Sequence, residues 1–131
     1  MLFVVFGMDK PEGGAAIRRR VRKEHLEFVV AHQDAFHYGG PLMAENGLTV
    51  GSLMIFDVAD QPALDRLLQD EPYCREGLFD PLIIRPSRQV VPETAPGRLI
   101  EELSNERLMQ QSASRYGGQR NDGRSASVPQ D

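Results

Sequence analysis

The chain has 131 residues, 40% of them hydrophobic and 26% charged, with a formal net charge of −4. These values describe one globular domain with a tail, large enough for a single core, and exclude collagenous, low-complexity and disulfide-stapled classes. The first 94 residues hold 14 acidic and 10 basic side chains, so the folded part is mildly acidic and a poor match for nucleic acid or anionic lipid.

Cys74 is the only cysteine. An intrachain disulfide is thereby ruled out, which fits a reducing cytoplasm. No apolar run approaches membrane-spanning length. Met1 to Phe6 lacks the basic leader and the length of a signal peptide. The expectation is a cytoplasmic protein with no membrane and no nucleic-acid partner.

Leu2-Phe3-Val4-Val5-Phe6 is a short apolar run of strand-favouring residues ending at Gly7, and reads as a strand buried on both faces. A turn-rich stretch leads into residues 15 to 34, the one long amphipathic helix. At 100° per residue, Ile17, Val21, His25, Phe28 and Val29 form its core-facing stripe. The basic run Arg18 to Lys23 fans over the remainder as a solvated face, with Arg20→Glu24 and Lys23→Glu27 as compensating pairs. Arg22 alone stands beside His25. A second extended stretch begins at Phe36-His37-Tyr38. Gly39-Gly40-Pro41 interrupts it, as a bulge or a close backbone approach. Asn46-Gly47 signals a hairpin into a third strand, Leu48 to Phe56. Ser52 is there a lone hydroxyl among core neighbours, of the kind usually satisfied by backbone.

Asp60 and Pro62 open a second helix with Leu64, Leu67 and Leu68 on its apolar side. Asp70-Glu71-Pro72-Tyr73 breaks it, and a turn follows. Leu78 to Ile84 is the fourth strand. Pro81 marks it as an edge or bulged strand and Pro86 closes it. Beyond Pro92 the composition changes. Residues 93–131 read as an extension, a modest helix over Leu99 to Gln110 and then a disordered Gly/Ser/Gln/Asn-rich tail from Ser112. The domain itself is residues 1–92. Its order, strand–helix–strand–strand–helix–strand, is that of the ferredoxin-like βαββαβ sandwich of the α+β class. Strands that are apolar on both sides leave one sheet face without cover from this chain, so a homodimer with sheet packed on sheet is expected.

His25 puts a titratable ring where an apolar residue would pack. A core histidine bonded to a carbonyl satisfies that pattern, and so does a group that exchanges a proton near neutral pH. In the sandwich the two helices lie side by side. Asp70 and Glu71, at the end of the second helix, are then within reach of His25, and a carboxylate holding the ring in one tautomer is what acid–base chemistry requires. Cys74 has nothing near it in sequence to lower a thiol pKa. The spacings of His25, His32 and His37 do not match a chelating pattern. No metal and no cofactor is expected.

Arg22-Lys23-Glu24-His25-Leu26 resembles the Arg-x-x-His-Leu motif of the YciI-like (YCII-related) proteins. Gly39-Gly40-Pro41 resembles that family's Gly-Pro turn, and Gly51-Ser52 its Gly-Ser pair. Asp70-Glu71-Pro72-Tyr73 with Gly77-Leu78, and Ile84-Arg85-Pro86, resemble its later segments. The resemblance covers residues 1 to about 92. It implies a dimeric α+β barrel with a small-molecule pocket around the histidine and a carboxylate. Arg22, Gly40, Pro41, Ser52 and Tyr73 are its expected substrate-binding residues. Glu71 is the dyad carboxylate by position and Asp70 by residue type, since the family usually carries Asp before that proline. The implied activity is that of a small lyase or isomerase, or of a dehydrochlorinase of chlorinated hydroxyquinols. A non-catalytic binding or accessory dimer is the alternative.

Overall fold

The computed structural model describes residues 1–117 of the chain. They form β1 (Leu2–Asp9), α1 (Gly14–Ala31), a 3-10 turn (Gln33–Ala35), β2 (Phe36–Met43), β3 (Thr49–Asp57), α2 (Gln61–Asp70), α3 (Pro72–Arg75), β4 (Phe79–Ser87) and α4 (Arg98–Gly117). The strands make one antiparallel sheet in the order β2-β3-β1-β4. This is the expected α+β, ferredoxin-like arrangement. Residues Met1–Arg88 are one compact unit and Gln89–Asp131 a second.

Cross-strand register sorts the side chains into two faces. Phe3, Val5, Met54 and Phe56 point toward the helices and are buried with Val21 and Phe28 of α1, Leu64 of α2, and Tyr73, Leu78 and Phe79. The opposite face carries the rows Tyr38–Ile55–Val4–Arg85 and Gly40–Leu53–Phe6–Ile83. Tyr38 and Ile83 are exposed there, and Val4, Phe6, Leu53 and Ile55 are half-buried. The sheet is therefore apolar on both sides, as the strand sequences suggest.

Local chemistry sets the boundaries. Gly13 takes φ 84° at the entry to α1, a left-handed turn that other residues resist. Asp60 caps α2 by accepting from the Ala63 amide at 3.0 Å. Asn46-Gly47 makes the β2–β3 hairpin, with Gly47 at φ 86° and Asn46 Oδ1 accepting from the Leu48 amide at 3.0 Å. A Cβ on Gly7 would stand 2.3 Å from the Phe79 ring. Glycine is thus what lets Phe79 lie over β1 beside Tyr73, next to the bulge where β1 and β4 change register.

The structure corrects several expected boundaries. Pro86 lies inside β4, opposite Phe3. An edge strand tolerates the missing N–H, so proline does not end it. Gly39-Gly40-Pro41 is not a bulge. It pairs in regular register with Met54, Leu53 and Ser52, and the irregularities fall at the two ends of β2. Arg20 pairs with Glu76 at 3.2 Å, and Glu24 with Arg75 at 2.8 Å. The expected Arg20–Glu24 pair along α1 gives way to bridges from α1 to the α3 segment, which that reading did not anticipate. In the second unit, Glu93 accepts from the amides of Gly97 and Leu99 at the start of α4. The helix continues past Gln110 to Gly117, so residues 112–117 are helical. The rest of the expected disordered tail, 118–131, lies outside the described residues. Among the described residues no helix is long and apolar enough to cross a membrane.

Candidate functional site

Pro72 decides which carboxylate enters the core. A residue before proline is driven out of the helical region, and Glu71 accordingly has φ −70° and ψ 117°, ending α2 at Asp70. Asp70 stays exposed as the last residue of α2. Glu71 turns inward, is fully buried, and caps α3 by accepting from the Cys74 amide through Oε2 at 2.8 Å. Its Oε1 lies 2.5 Å from Nδ1 of His25. Of the two candidate carboxylates, Glu71 meets the histidine and Asp70 does not.

Burial alone would push the Glu71 carboxyl up. The hydrogen bond to His25, the bond from the Cys74 amide and the charge on the imidazole outweigh it, so Glu71 titrates below the ordinary carboxylate range. An ionised Glu71 only accepts hydrogen bonds. The hydrogen between it and His25 therefore belongs to Nδ1, and whenever the ring carries a single proton its lone pair is on Nε2.

The His25 ring is stacked on Tyr73, with centroids 3.9 Å apart and an interplanar angle of 16°. The guanidinium of Arg18 lies over the same tyrosine, 4.7 Å from its centroid. The imidazole covers one face of the ring, so the guanidinium takes the other. Two turns of α1 separate Arg18 from His25, about 10.5 Å along the axis, which is room for a ring between them. Arg18 donates from Nε and Nη2 to the two oxygens of Asp9, both at 2.8 Å, and from Nη2 to Ser52 Oγ at 3.0 Å. Burial opposes its charge, but the Asp9 bonds and charge, with Tyr73, raise its pKa above the ordinary value. Ser52 is thus satisfied by a side chain, where backbone was expected. The Tyr73 hydroxyl is buried and has no partner among the described residues.

His25, Tyr73, Arg18 and Ser52 line a cavity of about 390 Å³ between α1 and the β2–β3 end of the sheet. Arg22, Gly40, Pro41, Ser52 and Tyr73, all expected at the site, line it with His25 and Arg18. Leu26, Val29, Phe36 and Met54 supply apolar wall. Arg22 itself is exposed. His32 is not part of the lining. It caps the end of α1 against Phe28, and His37 is exposed on β2. Burial raises the Cys74 thiol pKa and the Glu71 charge raises it further, so it is a neutral thiol and no nucleophile. Among the described residues no group of three or more His, Cys, Asp or Glu side chains is arranged to hold a metal.

Arg18 and Asp9 were not anticipated as site residues. Arg18 was hidden in a basic run, and Asp9 in a turn. The one available signal is the spacing Arg18–Arg22–His25, steps of four and three that put all three on neighbouring helix positions.

The solved structure of 5-chloro-2-hydroxyhydroquinone dehydrochlorinase from Burkholderia phenoliruptrix AC1100, in complex with 2,5-dihydroxybenzoquinone, is similar at a TM-score of 0.62 and 19% identity. The alignment covers 71% of this chain and 99% of that one, and at this identity it supports the fold. No curated protein matches. The YCII-related domain matches residues 1–88, the whole of the first compact unit and well over half of the sequence. The chain belongs to the YCII-related family.

Proposed function

We propose that this protein is a small cofactor-independent enzyme of the lyase or isomerase type, acting on a small anionic or phenolic molecule. The observation that carries the reading is the His25–Glu71 contact at the wall of a ligand-sized cavity. A buried carboxylate that fixes Nδ1–H leaves Nε2 as a base of set direction. In an elimination, Nε2 takes a proton from the substrate. The pair from the broken bond becomes a double bond, and a leaving group such as chloride departs with the pair that bound it. Such a step needs no redox partner. Arg22, exposed at the cavity, draws an anionic group toward it. The structural likeness to a dehydrochlorinase makes chlorinated hydroxyquinols the first substrates to try.

In this reading a second copy of the chain covers the open sheet face, where Tyr38 and Ile83 are 51% and 42% exposed beside Val4, Phe6, Leu53 and Ile55. The function is tested by incubating the protein with chlorinated hydroquinones and hydroxyhydroquinones and measuring free chloride, with His25→Asn alongside. Chloride release that is lost in the variant supports the enzyme. Binding without turnover across the panel would leave a ligand-binding or accessory module instead.

A further inference from the structure

The cavity has a second polar cluster, and each of its groups has a hydrogen left to donate. Arg18 spends Nε on Asp9 and Nη2 on Asp9 and Ser52, which leaves the two N–H groups of Nη1. Ser52 Oγ accepts from Arg18, so its own hydrogen is directed elsewhere. Both residues line the cavity. Tyr73 adds a third buried donor beside Arg18, its hydroxyl without a partner among the described residues. The hydroxyl oxygens can accept as well, but the surplus of hydrogens, two on Nη1 and one on each hydroxyl, is met by an oxygen brought by the ligand. Asp9 already balances the Arg18 charge, so the fitting group is a carbonyl, phenolate or enolate oxygen and not a phosphate.

We infer that Arg18 and Ser52 form an oxyanion-binding end of the cavity, separate from His25, which selects ligands bearing a second oxygen. Asp9 is the positioning residue that holds the guanidinium fork in place. In the proton transfer proposed above, on which this inference rests, negative charge that develops on the second oxygen as His25 takes the proton is met by fixed donors.

The test compares two probes by calorimetry on the full chain. One is 2,5-dihydroxybenzoquinone, with oxygens at both ends of the ring; the other is phenol, with one. The unsubstituted protein is expected to bind the quinone at least ten-fold more tightly than phenol. Ser52→Ala, which leaves the Arg18–Asp9 pair intact, and Arg18→Lys, which keeps the charge but loses the fork, are expected to lose most of that preference while phenol binding is unchanged. His25→Asn is expected to weaken both probes. If Arg18→Lys fails to fold, Ser52→Ala decides alone. No preference in the unsubstituted protein, a preference retained in Ser52→Ala, or a preference lost only in Arg22→Met would each overturn the inference. Unchanged binding of both probes in His25→Asn would overturn the proposed function instead.

Discussion

Replacing Glu71 with Gln removes a charge from a fully buried position at almost constant volume. The carboxylate serves two donors, His25 Nδ1 at 2.5 Å and the Cys74 amide at 2.8 Å. The glutamine oxygen can serve one of them, and its amide NH2 must then face the other. Facing Nδ1, it forces the ring to accept there and moves the hydrogen to Nε2, the wrong tautomer for a base. Hydrogen bonds to a charged group are worth about 1.5–3 kcal/mol and neutral ones about 0.5–1.5, so the variant should be less stable by about 1–2 kcal/mol near pH 7. The pH dependence gives the sign. Glu71 is depressed in the folded protein, so its contribution is present above the ordinary carboxylate pKa of about 4.3. It is lost as pH falls through the lower folded value. Urea melts of the two proteins should differ at pH 7 and converge at low pH, where Glu71 is protonated and as neutral as Gln. A constant difference at every pH would refute an ionised Glu71 in the core.

Tyr73→Phe should raise stability by about 1 kcal/mol or more in urea melts, because an unpartnered buried hydroxyl carries a cost of that size; a fall would show that the hydroxyl has a partner. Cys74 should react slowly with iodoacetamide at pH 8, since burial and the Glu71 charge hold its thiol neutral, and fast alkylation of the folded protein would contradict that. Sedimentation should give a dimer at micromolar concentration, and a stable monomer would remove the sheet-to-sheet pairing. A chain ending at Pro92 should melt within a few degrees of the full chain, because residues Met1–Arg88 are compact by themselves.

The element order was legible because its signals are local. The period of α1 with His25 on its inner stripe, the Asn46-Gly47 turn and the Asp60 cap each depend on a few neighbouring residues. The histidine–carboxylate pair was legible only to within two residues. Choosing Glu71 over Asp70 needs the backbone that Pro72 imposes, which the sequence contains but periodicity does not weigh. Arg18 was legible only through its spacing to Arg22 and His25 on one side of the helix. Its neighbours Arg19 and Arg20 are solvated, and what distinguishes it is Asp9 and Ser52, nine and 34 residues away in sequence. Long-range polar pairs of that kind leave no periodic trace. Pro86 misled for the opposite reason, since its effect on a strand depends on whether the strand is central or at the edge.

The most direct test of the central claim is the thermal shift of His25→Asn on adding 2,5-dihydroxybenzoquinone. Asparagine can present its amide nitrogen where Nδ1 stood and still donate to Glu71, while Nε2 is gone. The account predicts a melting temperature without ligand within a few degrees of the unsubstituted protein, and a ligand-induced shift reduced to near zero. A large loss of melting temperature with the ligand shift preserved would contradict it and make His25 a core residue.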